Sequence, residues 1–219
     1  MSNRKGEKRI VFEGQVSDSG RSSTPGDGQL RIFLLSPADA TGERAKLLVN
    51  PNAQFELARR LRTSGASLGE VYSFMSPLYF RGKLSYAGVF ANAPAGIPGS
   101  LVITPSRGLV RPEAITTFAD LAGLPNERLG ADNPKYRDAL ERDLRALSEA
   151  IRATAHVVLL GSIATRKYIP LLGDILGERL FVPRDFVGLG NMQRGALLLR
   201  CSRERCELEY VPAADALSD

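Results

Sequence analysis

Residues 101–112, LVITPSRGLVRP, decide how this chain reads. A short apolar run suited to a buried strand, Leu101 to Ile103, meets Thr104, Pro105 and Ser106, then Arg107 and Gly108. Residues 31–42, RIFLLSPADATG, and 156–166, HVVLLGSIATR, follow the same pattern. In each, strand-type residues run straight into a small hydroxyl residue or glycine and then into polar groups. These junctions predict strand ends. If the strands are parallel, their carboxyl ends open on one crevice, the place where open α/β sheets bind ligands.

Helical patterns lie between the strands. Asn50 and Pro51 read as a cap and first-turn pair for a helix carrying Phe55, Leu57, Ala58 and Leu61, with Arg59, Arg60 and Arg62 on its wet side. Residues 64–69 read as a break. Ser76 and Pro77 then open a helix in which Phe80, Leu84 and Ala87 stack at helical spacing, beside a stripe of Tyr79, Lys83, Tyr86 and Phe90. Gly82 and Gly88 weaken that helix by about 1 kcal/mol each relative to Ala, and a glycine kept there predicts close approach by backbone or ligand. Asn133 and Pro134 cap the strongest helix, with Tyr136, Leu140, Leu144, Leu147 and Ile151 at steps of four and three. A helix over 163–176 is predicted to be interrupted at Pro170. Residues 183–195, PRDFVGLGNMQRG, read as a glycine-rich loop. Residues 196–211 then read as a hairpin, with ALLLRC and CELEYV as strands and SRER as the turn.

The fold predicted is α/β, a mainly parallel central sheet flanked by helices, with a C-terminal β-hairpin. The domain expected spans residues 30–212. It follows a basic lead-in, residues 1–29, that includes the Ser/Gly/Pro/Asp cluster SDSGRSSTPGDG, and precedes a polar tail, 213–219.

Composition narrows the function. Of 219 residues, 43% are hydrophobic and 24% charged, ordinary values for a globular chain. No apolar run approaches the roughly 20 residues needed to cross a bilayer, and MSNRKGEKRIVF lacks the apolar core of a secretory signal. A cytoplasmic location without a membrane partner is therefore expected. The net charge of +5 and an excess of arginine over lysine favour an anionic partner, DNA or a nucleotide. The two cysteines, Cys201 and Cys206, read as reduced thiols. With a single histidine, His156, at the start of a strand, neither a histidine-rich metal site nor a Ser-His-Asp triad can be assembled. Neither GxGxxG nor GxxxxGK[ST] occurs. No metal and no cofactor are expected.

The candidate ligand-binding residues are Ser36, Arg81, Lys83, Thr104, Ser106, Arg107, Gly108, Gly161, Ser162, Thr165 and Arg166. Small and hydroxyl residues at strand ends leave amide donors open to a phosphate or carboxylate, and the cations supply charge. Asp39 and Asp185 are the carboxylates nearest these loops and the candidate acid or base groups. Tyr79 and Phe186 are the candidate base-stacking rings.

SPADATG (36–42), LYFRGKLSYA (78–87), ITPSRGLVRPEAITTF (103–118), VVLLGSIATRKYIPLL (157–172) and FVPRDFVGLGNMQRG (181–195) occur in an order that resembles the YaaA-like proteins and allied bacterial and phage domains. That resemblance implies a role linked to DNA, in peroxide stress or base modification, without supplying a reaction. The strand-glycine-helix unit at 157–169 is also similar to uracil-DNA-glycosylase folds, whose late histidine motif is replaced here by PRDFVGLGN. The expected function is a DNA-associated, nucleic-acid- or base-binding protein. The alternatives are a metal-independent enzyme on a nucleotide, nucleoside or sugar phosphate, and a non-catalytic protein-interaction module.

Overall fold

The run LRIFLL forms a strand whose residues after Leu30 are all buried, as a strand covered on both faces must be. The computed structural model describes residues 28–123, 133–151, 155–162 and 168–217. Its elements are β1 (Leu30–Leu35), α1 (Glu43–Val49), α2 (Glu56–Thr63), β2 (Ala66–Ser67), α3 (Leu68–Met75), α4 (Tyr79–Phe90), β3 (Ser100–Thr104), β4 (Gly108–Val110), β5 (Ile115–Thr116), α5 (Phe118–Ala122), α6 (Pro134–Ile151), β6 (Ala155–Leu160), α7 (Ile169–Leu176), β7 (Leu180–Pro183), α8 (Asn191–Glu204) and β8 (Tyr210–Pro212).

Six strands form one sheet in the order β4-β3-β1-β6-β7-β8. β3, β1, β6 and β7 run parallel, and the two outermost strands, β4 and β8, are antiparallel to their neighbours. This is the predicted α/β architecture. Alternate residues supply the two faces. Ile32, Leu34, Leu101, Ile103, Val157 and Leu159 pack with Leu140, Leu144 and Leu147 of α6 and Leu172 of α7. Phe33, Leu35, Val102, Val158 and Leu160 pack with Phe80 and Tyr86 of α4 and Leu198 of α8.

The registers align the strand ends that matter. Leu35 is opposite Leu160 in β6 and Val102 in β3, so Ser36 and Gly161 leave the sheet side by side. The chain between β1 and β3 passes α4 on one face, whereas β6 reaches β7 through α7 on the other. Neighbouring strands thus lead away in opposite directions, and the gap between β1 and β6 is the topological switch point of the sheet.

α4 and α8 cross there at backbone contact. A Cβ on Gly82 would lie 2.8 Å from the Gly195 carbonyl oxygen, and one on Gly195 would lie 2.8 Å from the Tyr79 Cα. The glycine in YFRGK therefore serves close approach by a neighbouring backbone. α4 begins near Ser36 and ends near Arg31, whose backbone bonds Asn92. α8 follows it in direction, because Gly195 meets Tyr79 while the chain just beyond α8 reaches Tyr86 through the Leu208 amide. Both helices point their amino ends at the carboxyl edge of the sheet.

Several local expectations change. ALLLRC is helix within α8 rather than strand. Leu198, Cys201 and Ser202 are buried while Arg200 and Arg203 are exposed, a spacing of three and four that the short apolar run concealed. The C-terminal antiparallel pair is present, but it joins β7 to β8 across α8. Residues 183–195 are a loop only in part, since α8 starts at Asn191. Asn50 caps the end of α1, with its side-chain oxygen accepting from the Asn52 amide at 2.9 Å, and α2 starts later, at Glu56. Residues 64–69 contain β2 and the start of α3, whose Ser67 cap accepts from the Glu70 amide. Pro170 lies in the first turn of α7, where its missing N–H is harmless, and the part of the predicted helix at 163–167 lies outside the described residues. Cys201 is buried and Cys206 exposed, both free, at the end of α8. The lead-in through residue 27 lies outside the described residues.

Overpacking gives the first prediction. Gly195→Ala should lower stability by about 1–3 kcal/mol, read as a reduced denaturant midpoint at unchanged m-value; an unaltered midpoint would contradict the α4–α8 contact.

Candidate functional site

Five elements meet at the switch point. β1 runs into Ser36 and β6 into Gly161 and Ser162; β7 leads into a 3₁₀ turn, Arg184–Phe186; α4 supplies Tyr79 and Lys83, and α8 supplies Arg194. Gly161 is needed for the approach of β6 to β1: a Cβ there would sit 3.1 Å from the Ser36 Cβ and 3.3 Å from its Oγ.

Lys83 is the centre of this group. It is only 1% exposed. Its Nζ donates to the Ser36 carbonyl oxygen at 2.5 Å and to Ser36 Oγ at 2.8 Å, and it lies 4.3 Å from the centre of the Tyr79 ring and 5.1 Å from that of Phe80. Among the described residues no carboxylate pairs with it. Burial therefore acts unopposed and lowers the amine from its ordinary 10.5 to about 7. In the neutral form one N–H still donates to the Ser36 carbonyl oxygen, and the lone pair can accept from Ser36 Oγ–H, reversing the direction of that contact.

Arg194 repeats the pattern. It is buried, its Nε and Nη2 donate to the Phe186 carbonyl oxygen at 3.1 and 2.8 Å, and its guanidinium lies 5.4 Å from the centre of the Phe186 ring. No carboxylate among the described residues balances this charge either. Tyr79 lies between the two cations. Its ring centre is 6.5 Å from that of Phe186. Its hydroxyl is buried without a well-formed hydrogen bond among the described residues. Burial pushes this phenol up to about 12, against the opposing pull of the Arg194 charge.

The structure thus joins Ser36, Lys83, Gly161, Ser162, Tyr79 and Phe186, and it separates the other predicted residues from them. In the β3–β4 turn, Thr104 Oγ1 donates to the Gly108 carbonyl and accepts from the Arg107 amide, so its polar capacity is used within the turn. Gly108 has φ +67° and lies under α6, where a Cβ would collide with Asp143 Oδ2 at 2.1 Å. The Asp143 carboxylate also accepts from the Leu109 amide at 2.9 Å. This turn closes on the α6 face, away from α4 and α8. Ser106 is half-buried in it and Arg107 is exposed. Arg81 is exposed at the amino end of α4. Asp39 is exposed, and its Oδ1 accepts from the Thr41 amide and hydroxyl, a turn cap. Asp185 is exposed on the 3₁₀ turn. Thr165 and Arg166 lie outside the described residues.

Arg194 escapes a reading that makes 183–195 a loop. Taken as helix, it falls on one stripe with Leu198 and Cys201, and a cation on an apolar stripe was the available signal. Among the described residues no group of three or more His, Cys, Asp and Glu side chains is arranged to hold a metal ion, and no helix is long and apolar enough to cross a membrane. Comparison of the chain with protein-family models, curated proteins and solved structures found no match.

The Lys83 environment has a signed consequence. The unfolded chain keeps the lysine proton up to about 10.5 and the folded chain only to about 7, so the unfolded state binds more protons between these values. Stability from this group rises with pH across that window and is lost as pH falls through 7. Lys83→Met should remove the rise, seen as a change with pH in the gap between parent and variant melting temperatures from pH 7 to 10. A constant gap would mean that the amine titrates normally.

Proposed function

We propose that the carboxyl edge of this sheet binds a nucleotide-type ligand, an aromatic base carrying phosphate. One observation carries the proposal: a buried guanidinium, Arg194, and a buried amine, Lys83, flank an aromatic pair, Tyr79 and Phe186, with no carboxylate partner for the Arg194 charge among the described residues. Buried charge is costly unless something of opposite sign meets it. A phosphate supplies that charge. Two helix amino ends directed at the same edge add further attraction. A flat base matches the rings and the apolar faces around them.

Purine and pyrimidine mono-, di- and triphosphates, tested by thermal shift beside the corresponding nucleosides, check this. A nucleotide present at 100 times its Kd should stabilise the fold by about 2.7 kcal/mol, and the nucleoside should do so far less. Arg194→Met should weaken nucleotide binding about tenfold or more. No shift across the whole panel would overturn the proposal.

A second reading, that the ligand is a nucleotide within DNA, draws on the exposed Arg81 at the start of α4, the net charge of +5 and the YaaA-like order of motifs. It predicts oligonucleotide binding that falls steeply with salt. Tight binding of free nucleotides with no binding of single- or double-stranded oligonucleotides would reject it.

A further inference from the structure

The contact between Lys83 and Ser36 has the geometry of a nucleophile and its base. We propose that Ser36 and Lys83 form a serine–lysine dyad that cleaves an ester or activated acyl group carried by an anionic molecule, with Ser36 Oγ as nucleophile and Lys83 Nζ as general base. The proposal rests on the nucleotide-type reading only for the identity of the molecule that carries the acyl group.

Nζ and Oγ are 2.8 Å apart, within the reach required for proton transfer. A base in such a pair must be held by a third group. Here the Ser36 carbonyl, at 2.5 Å, and the Tyr79 ring, at 4.3 Å, fix the ammonium end of a side chain that is otherwise long and flexible. A base must also be free to accept a proton. A lysine paired with a carboxylate keeps its proton, whereas the amine of Lys83 is buried among rings and a serine, which lowers it to about 7 and leaves a large share unprotonated at pH 7. The serine sits at the end of β1, at the switch point, where the chain turns away from the sheet. Ser36 is only 5% exposed, and a Cβ on Gly161 beside it would lie 3.3 Å from Oγ and cover it further. Serine–lysine pairs replace the Ser-His-Asp arrangement in acyl transfer on unrelated folds, so the sole histidine, His156 in β6, whose ring centre lies 3.9 Å from that of Phe181, is not required.

The step balances without an added oxidant or reductant. The Ser36 Oγ–H proton passes to Nζ as Oγ bonds to the acyl carbon. The bond from that carbon to the leaving group breaks, and the leaving group takes the proton from the Lys83 ammonium. Water then gives one proton to Nζ and its hydroxyl to the acyl carbon, the Oγ–acyl bond breaks, and the proton returns to Oγ. The products are a carboxylic acid and the protonated leaving group.

The test is labelling of the full chain with a small fluorophosphonate, mapped by peptide mass spectrometry, in parallel with hydrolysis of p-nitrophenyl acetate and p-nitrophenyl phosphate. The expected result is one label per chain on Ser36, hydrolysis of the acetate but not the phosphate, and loss of both label and hydrolysis in Ser36→Ala. Lys83→Arg keeps hydrogen-bond donors near the position of Nζ but cannot accept a proton, and should lower the labelling rate at least 100-fold; a thermal melt of that variant separates lost chemistry from lost folding. An unlabelled Ser36 in the parent chain overturns the dyad whatever the variants do, as does a folded Lys83→Arg that labels at the parent rate. Nucleotide binding that persists when labelling fails refutes the dyad alone; labelling of Ser36 without nucleotide binding keeps the dyad and refutes the ligand class.

Discussion

A primary amine enclosed by protein must lose its proton or find an anion, and this requirement at Lys83 organises the carboxyl edge of the sheet. The side chain extends from α4 over the end of β1 and gives its hydrogens to Ser36. No acid accompanies it among the described residues. A stabilising salt bridge would have cost little to build on a chain with 24 acidic residues, yet the structure places two cations, Lys83 and Arg194, against aromatic rings instead. On the proposed reading, the Arg194 guanidinium is the group that an anionic ligand would meet at this edge.

That placement depends on the crossing of α4 and α8. Gly82 and Gly195 let the helices approach until backbone touches backbone, and the approach brings Arg194 beside Tyr79. Farther along α4, Tyr86 shares a hydrogen bond of 2.7 Å with Tyr210 of β8, and Tyr210 donates to Glu207, which also pairs with Arg31. These contacts tie the chain after α8 to the amino edge of β1. The sheet, the helix pair and the C-terminal strand thus form a rigid frame on which the edge residues are mounted, the kind of support that holds a constellation to within a fraction of an ångström.

Much of the fold was legible because its elements carry strong periods. β1, β3 and β6 are short apolar runs closed by polar residues, and α6 repeats its apolar positions over 18 residues. The C-terminal third was harder to read. Ala196 to Leu199 is too short and too uniformly apolar to separate strand from helix, and the glycines before it suggested a loop when one of them serves the helix crossing. The site was legible in the same proportion. Ser36, Gly161, Lys83, Tyr79 and Phe186 follow from strand-end grammar and helix stripes. The stretch at 101–112 did mark a strand end on the correct edge, but its turn is satisfied from within by Thr104 and from below by Asp143. A hydroxyl residue beside an arginine looks the same in sequence whether it faces a ligand or closes a hairpin. Arg194 lay hidden because its burial depends on a tertiary contact between helices more than 100 residues apart.

The protonation state of Lys83 is the most direct measure of this account, because the anion site, the pH dependence of stability and the dyad all depend on it. Titration of its side-chain 13Cε resonance in the intact chain, assigned by comparison with Lys83→Arg, reads that state. A midpoint near 7 is the predicted result. A midpoint at the ordinary lysine value of 10.5 would show that the amine is solvated or paired, and would contradict the account at its centre.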